Sequence, residues 1–161
     1  MSAILVLTVF HTLVSLVAIA SGIYVVVGFI TDTPVLRAAR WFLWSVAITL
    51  ITGFMFPFNG VTPAIAVGIL CVLIFIATVY ARYRTQMTGI WRLSYVIGCL
   101  LLLYFNCLVL IAQVFQKIPP LNAIAPTGNE PPVVASQVAL LILAIVAGIF
   151  IVRGTKNRSF G

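Results

Sequence analysis

The sequence predicts an all-α integral membrane protein, a polytopic helical bundle of five transmembrane helices with the N-terminus outside and the C-terminus in the cytoplasm. Composition, the spacing of uncharged blocks and the placement of basic residues predict it. Of 161 residues, 63% are hydrophobic and 7% charged, with a mean hydropathy of +1.26. A soluble domain carries about a quarter charged residues. Residues 1–31, 41–81, 93–116 and 131–152 contain no charged side chain. A span needs roughly 20 apolar residues, so the second block holds two helices and each of the others one. The whole chain, 1–161, reads as a single membrane domain.

Helix one is expected over about 3–30, ending where Thr31-Asp32-Thr33-Pro34 combines a proline with a capping-type aspartate. Ala18-Ile19-Ala20 has the small-x-small form of a signal cleavage site, but no basic n-region precedes it and the apolar run continues to Ile30. An uncleaved span is expected. Helix two covers about 38–56 and is closed by Pro57-Phe58-Asn59-Gly60, which predicts a tight turn into helix three at 62–80. Helix four is placed at 93–115 and helix five at 133–152. Between them, residues 117–132 contain Pro119, Pro120, Pro126, Pro131 and Pro132. So many fixed φ angles predict an extended, stiff outer segment, either a lid across the membrane surface or a semi-rigid connector.

Orientation follows from the Lys and Arg residues, which are in excess in cytoplasmic loops. Arg37, Arg40, Arg82, Arg84, Arg92, Arg153, Lys156 and Arg158 all fall on one side of a five-span arrangement, and only Lys117 on the other. Trp41, Trp44, Tyr80, Tyr83 and Trp91 gather at the basic boundary, with Phe54, Phe56 and Phe58 at the opposite one. The formal charge of +7 is therefore explained by topology. Nucleic acid is not an expected partner, because counterion-release binding needs a contiguous basic surface that this distribution does not provide.

His11 is the only histidine. It lies about eight residues into helix one, roughly 12 Å along the axis. Thr8, Thr12, Ser15 and Gly22 recur at helical spacing around it. Helix two offers Ser45, Thr49 and Thr52, and helix four offers Cys99, Asn106, Gln113 and Lys117, near one face in each case. Counted inward from the outer ends, His11, Thr49, Thr52, Asn106 and Gln113 fall in one layer, and Gln137 early in helix five can join them. One reading is a polar pocket beneath the Pro-rich segment, since intramembrane ionisable groups are functional candidates by default. The plainer reading is interhelical hydrogen bonding, worth about 0.6 kcal/mol per contact.

No catalytic residue is predicted. No nucleophile has a base at identifiable reach, and no phosphate loop, Rossmann glycine pattern or intramembrane acid occurs. No metal site is expected, because Cys71, Cys99 and Cys107 lack paired ligand spacing and read as small apolar packing groups without disulfides. No cofactor is predicted. Haem is the alternative a lone imidazole leaves open, with His11 as the one candidate ligand, and it needs a second axial ligand or a site shared between two copies.

The run Tyr104-Phe105-Asn106-Cys107, then 113–121 (QVFQKIPPL), Ala125-Pro126-Thr127 and Glu130-Pro131-Pro132, resembles a stretch in small bacterial membrane proteins of unassigned function. His11 and Thr52-Gly53-Phe54 are further shared landmarks, and the likeness extends over most of the chain. It implies a bacterial inner (cytoplasmic) membrane and attaches no chemistry to the motif. The expected function is non-enzymatic binding of an apolar or amphiphilic ligand, a lipid or quinone, in the outer half. The alternatives are an accessory or assembly subunit of a larger membrane complex, a haem-dependent redox protein and a transporter of a neutral substrate. Expected partners are membrane lipids, with other membrane subunits or a second copy under the assembly reading.

Overall fold

The computed structural model describes residues 3–57 and 63–155, and these are helical almost throughout, with no strand. The elements are α1 (Ala3–Thr31), α2 (Leu36–Phe54), α3 (Pro63–Tyr83), α4 (Ile90–Lys117), the short α5 (Pro119–Ile124) and α6 (Pro131–Thr155). Four helices are long and apolar enough to cross a bilayer: Ala3–Thr31, Ala64–Tyr83, Ile90–Lys117 and Pro131–Gly154. The protein is thus a multi-pass helical membrane protein. α2 is not among those four, because Arg37, Arg40, Ser45, Thr49 and Thr52 dilute its 19 residues. Phe58, the Asn59-Gly60 turn and the basic residues Lys156 and Arg158 lie outside the described residues.

α1, α2, α3 and α4 form a ring in which each helix packs on the next and α4 returns to α1. α6 lies outside this ring, against α4 and α1. One half of the ring is closed. At Gly22 an added Cβ would stand 2.7 Å from Phe42 Cε2 and 3.0 Å from Leu103 Cδ1, so side chains of α2 and α4 pack directly on the α1 backbone there. At Gly98 an added Cβ would fall 2.1 Å from Thr78 Oγ1, so this α3 side chain packs directly on the α4 backbone. Fully buried Val25, Phe42, Val46, Cys99 and Leu102 fill this half.

The connection from α1 to α2 is a local consequence of sequence. Asp32 takes φ +61° and the Thr33 amide donates to the Gly28 carbonyl at 3.0 Å, a helix stop with aspartate in the left-handed position that Gly or Asn usually takes. Gly28 leaves room for Val35, whose Cγ1 lies 2.1 Å from where a Cβ would be. α2 then runs back antiparallel along α1, meeting it at Val35, Phe42 and Thr52 in turn.

Two expectations change. The segment 117–132 is not extended throughout: Ile118, with φ −89° and ψ 114°, breaks the chain after α4, and Pro119 and Pro120 open α5. Proline suits the first turn of a helix, where the missing N–H has no intrahelical acceptor and φ is already set. Pro131 likewise opens α6, where the Glu130 carbonyl accepts from the amides of Val133 (3.0 Å) and Val134 (3.1 Å). Arg82 and Arg92, placed in a loop by the sequence reading, lie on α3 and α4. α3 continues because the Arg82 guanidinium lies 5.3 Å from the Tyr95 ring and 5.6 Å from the Tyr83 ring, and its Nη1 donates to the Tyr95 hydroxyl.

Candidate functional site

Beyond the closed half, the ring holds a cavity of about 510 Å³. Helix ends set its place: α1 and α3 begin at this end of the bundle, and α2 and α4 finish here. Its walls come from all four. Thr8, His11, Thr12 and Ser15 of α1 face it at intervals of three and four residues, as a helical stripe must. α2 contributes Thr49, Leu50, Gly53 and Phe54, with Phe56 just beyond its end. α4 contributes Phe105, Asn106, Val109, Leu110, Gln113 and Val114, with Lys117 and Ile118 at its end.

The volume falls within the range of about 300–1,000 Å³ typical of small-molecule sites, and so does the character of the wall, mainly apolar with few polar groups. His11 Nδ1 lies 2.8 Å from Thr52 Oγ1, joining α1 to α2. Its ring stands perpendicular to Phe56, with centroids 5.4 Å apart. The imidazole edge faces α2 at Gly53, where an added Cβ would lie at an ordinary contact distance of 3.5 Å from His11 Cε1. Asn106 Nδ2 donates to the Leu102 carbonyl at 2.9 Å, a bond inside its own helix. Thr49 Oγ1 is buried without a hydrogen-bond partner among the described residues. Lys117 is exposed and is the cation of the cavity wall.

The structure brings His11, Thr49, Asn106 and Gln113 to one cavity and sets Thr52 behind His11 as its hydrogen-bond partner. Gln137 does not line it. The reason is architectural: α6 packs outside the ring, so its turn at Gln137 has no path to the interior. The wall supplied by α3, Ala64, Ile65, Val67, Gly68 and Cys71, was not anticipated, because a search for polar side chains passes over a small and apolar face. The 3–4 spacing of Ala64, Val67, Gly68 and Cys71 was the available signal.

Two other groups bear on chemistry. The described residues include no cluster of three or more His, Cys, Asp or Glu able to hold a metal ion. In the turn between α5 and α6, Glu130 Oε1 accepts from the Thr127 amide and hydroxyl, both at 2.9 Å. These bonds, the backbone one first, hold the Glu130 carboxyl below the usual range. No family model, curated protein or solved structure matches the chain, so the reading of this site rests on its geometry.

Proposed function

We propose that this is a five-span, non-enzymatic protein of a bacterial inner membrane, with N-terminus out, that binds an apolar or amphiphilic ligand in the cavity of its outer half. The observation that carries the reading is a four-helix cavity of about 510 Å³ whose apolar walls converge on His11, Thr49, Asn106 and Gln113. Interhelical hydrogen bonding accounts for less of this layer. His11 bonds across helices, but Asn106 bonds within its own helix and Thr49 bonds nothing among the described residues.

The five-span reading is supported by α2 itself. Its 19 residues extend about 28 Å at 1.5 Å per residue, close to a hydrocarbon thickness of about 30 Å. It runs beside α1 from Gly28 to His11 and turns Trp41 (69% exposed) and Trp44 (68%) outward, as a lipid-facing surface does. Arg37, Arg40, Arg82, Arg84, Arg92 and Arg153 stand at the end away from the cavity, which supports a cytoplasmic assignment for that end.

Native mass spectrometry of the protein in mild detergent tests the ligand reading. Wild type is expected to carry co-purified lipid-soluble molecules that an Asn106→Leu and His11→Leu double variant lacks; equal, empty spectra would remove it. Membrane-impermeant thiol labelling of Arg84→Cys and Gly128→Cys, in a background without the three native cysteines, is expected on opposite faces. Labelling from the same face would overturn the topology.

A further inference from the structure

The polar wall of the cavity is uneven in what it can give and accept, and the unevenness selects among amphiphiles. A threonine hydroxyl has one proton. Thr52 Oγ1 lies 2.8 Å from the Ile48 carbonyl and 3.2 Å from the Thr49 carbonyl, and both oxygens can only accept. Its proton is therefore committed to its own helix. The 2.8 Å contact to His11 then needs the proton to sit on Nδ1, with Thr52 Oγ1 accepting. No carboxylate lines the cavity to hold a second proton on the ring. The neutral ring is left with a bare lone pair on Nε2, which bonds to no described residue. On the α2 wall, one turn before Gly53, the Thr49 hydroxyl oxygen is buried within the protein and does not open onto the cavity, which leaves His11 Nε2 to meet a ligand.

We infer that the cavity takes a lipid-soluble alcohol or phenol, whose hydroxyl donates to His11 Nε2 while its tail lies against Val109, Leu110 and Val114. This rests on the ligand-binding reading above. A carbonyl or ester oxygen on the same skeleton has no proton to give and leaves Nε2 unpaired. An unpaired buried acceptor is costly, so the hydroxyl form wins. Thr52 is a positioning residue here: it touches no ligand and sets which ring nitrogen is bare. The shared chemistry has two sources in a membrane, a reduced quinol and an acylglycerol, and matched probes tell them apart.

The test uses purified full-length protein in nanodiscs, titrated anaerobically with two pairs of probes. The first pair is a decyl-substituted benzoquinol and its benzoquinone; the second is monooleoylglycerol and methyl oleate. The hydroxyl member of at least one pair is expected to bind about tenfold more tightly than its partner, the equivalent of one hydrogen bond of about 1.4 kcal/mol. The pair that discriminates identifies the source. His11→Phe is expected to level that pair, and Thr52→Val, which frees the ring to carry its proton on Nε2, to move the preference toward the carbonyl form. Because His11 is the only histidine, ¹⁵N-histidine labelling reads its tautomer in wild type without any variant. The expected signal is protonated Nδ1 and bare Nε2. A proton on Nε2, or equal affinity within both pairs, overturns the inference and leaves the ligand reading standing. Failure of all four probes to bind overturns the inference, and co-purified lipid in the native spectra then decides the ligand reading separately.

Discussion

The two halves of the ring are built from the same four helices and differ in what stands between them. In the closed half, glycine at 22 receives the side chains of Phe42 and Leu103 on its backbone, and glycine at 98 receives Thr78. In the open half, Gly53 and Gly68 line the cavity, and an added Cβ would stand 3.5 Å from His11 at the first and 3.1 Å from Phe54 at the second. A small residue thus has opposite meanings in the two places. Where a neighbour sits on the position of the missing Cβ, as at 22 and 98, the glycine is a packing device; where the neighbours stand farther back, as at 53 and 68, it is part of a chamber. In a bilayer this matters more than in water, because lipid tails are as apolar as the side chains and helix association depends on close packing.

Four variants or conditions break or sharpen this contrast. The largest effect is expected from Gly98→Val, which sets side-chain atoms on the buried Thr78 hydroxyl. Overpacking of this kind costs about 1–3 kcal/mol. Reversible unfolding in mixed micelles measures it, and a neutral result would mean that α3 and α4 separate easily. Thr52→Val comes next, removing the bond from α1 to α2 at a cost of about 0.6 kcal/mol in the same assay. A loss several times larger would make this bond a structural clamp.

Ala64→Leu, on the α3 wall of the open half, is expected to change stability by no more than about 0.5 kcal/mol while taking up cavity space. Loss of co-purified ligand with an unchanged unfolding curve would separate chamber from scaffold; a destabilisation as large as that of Gly98→Val would erase the contrast. The smallest effect belongs to the turn outside the ring. The folded Glu130 carboxyl titrates below its unfolded range, so its contribution is present above the unfolded value and is lost as pH falls through the lowered one. The Thr127 amide resonance is expected to move only in that acidic window. A midpoint in the ordinary glutamate range would show that the turn does not hold the carboxylate.

Much of this was legible in the residues. Apolar blocks and prolines located the helices, and helical spacing put His11, Thr49, Asn106 and Gln113 in the same half of the bundle. Depth along a helix is readable from counting. The neighbour across the bundle is not: Gln137 has the right depth, yet α6 packs outside the ring. The prolines illustrate a second limit, since Pro119 excludes a helix interior and fits a helix start equally well, and only the break at Ile118 decides between them. Arg82 reads as a loop charge until Tyr95, from the next helix, supplies a partner for it.

The ring closes only when α4 reaches back to α1, across the greatest separation in chain order of any of its contacts. Without α4 the first three helices would form an open row with no interior. The chamber comes into being when the segment ending at Lys117 is inserted. α6 stands against α4 and α1 as an outer stave on a barrel that is complete without it.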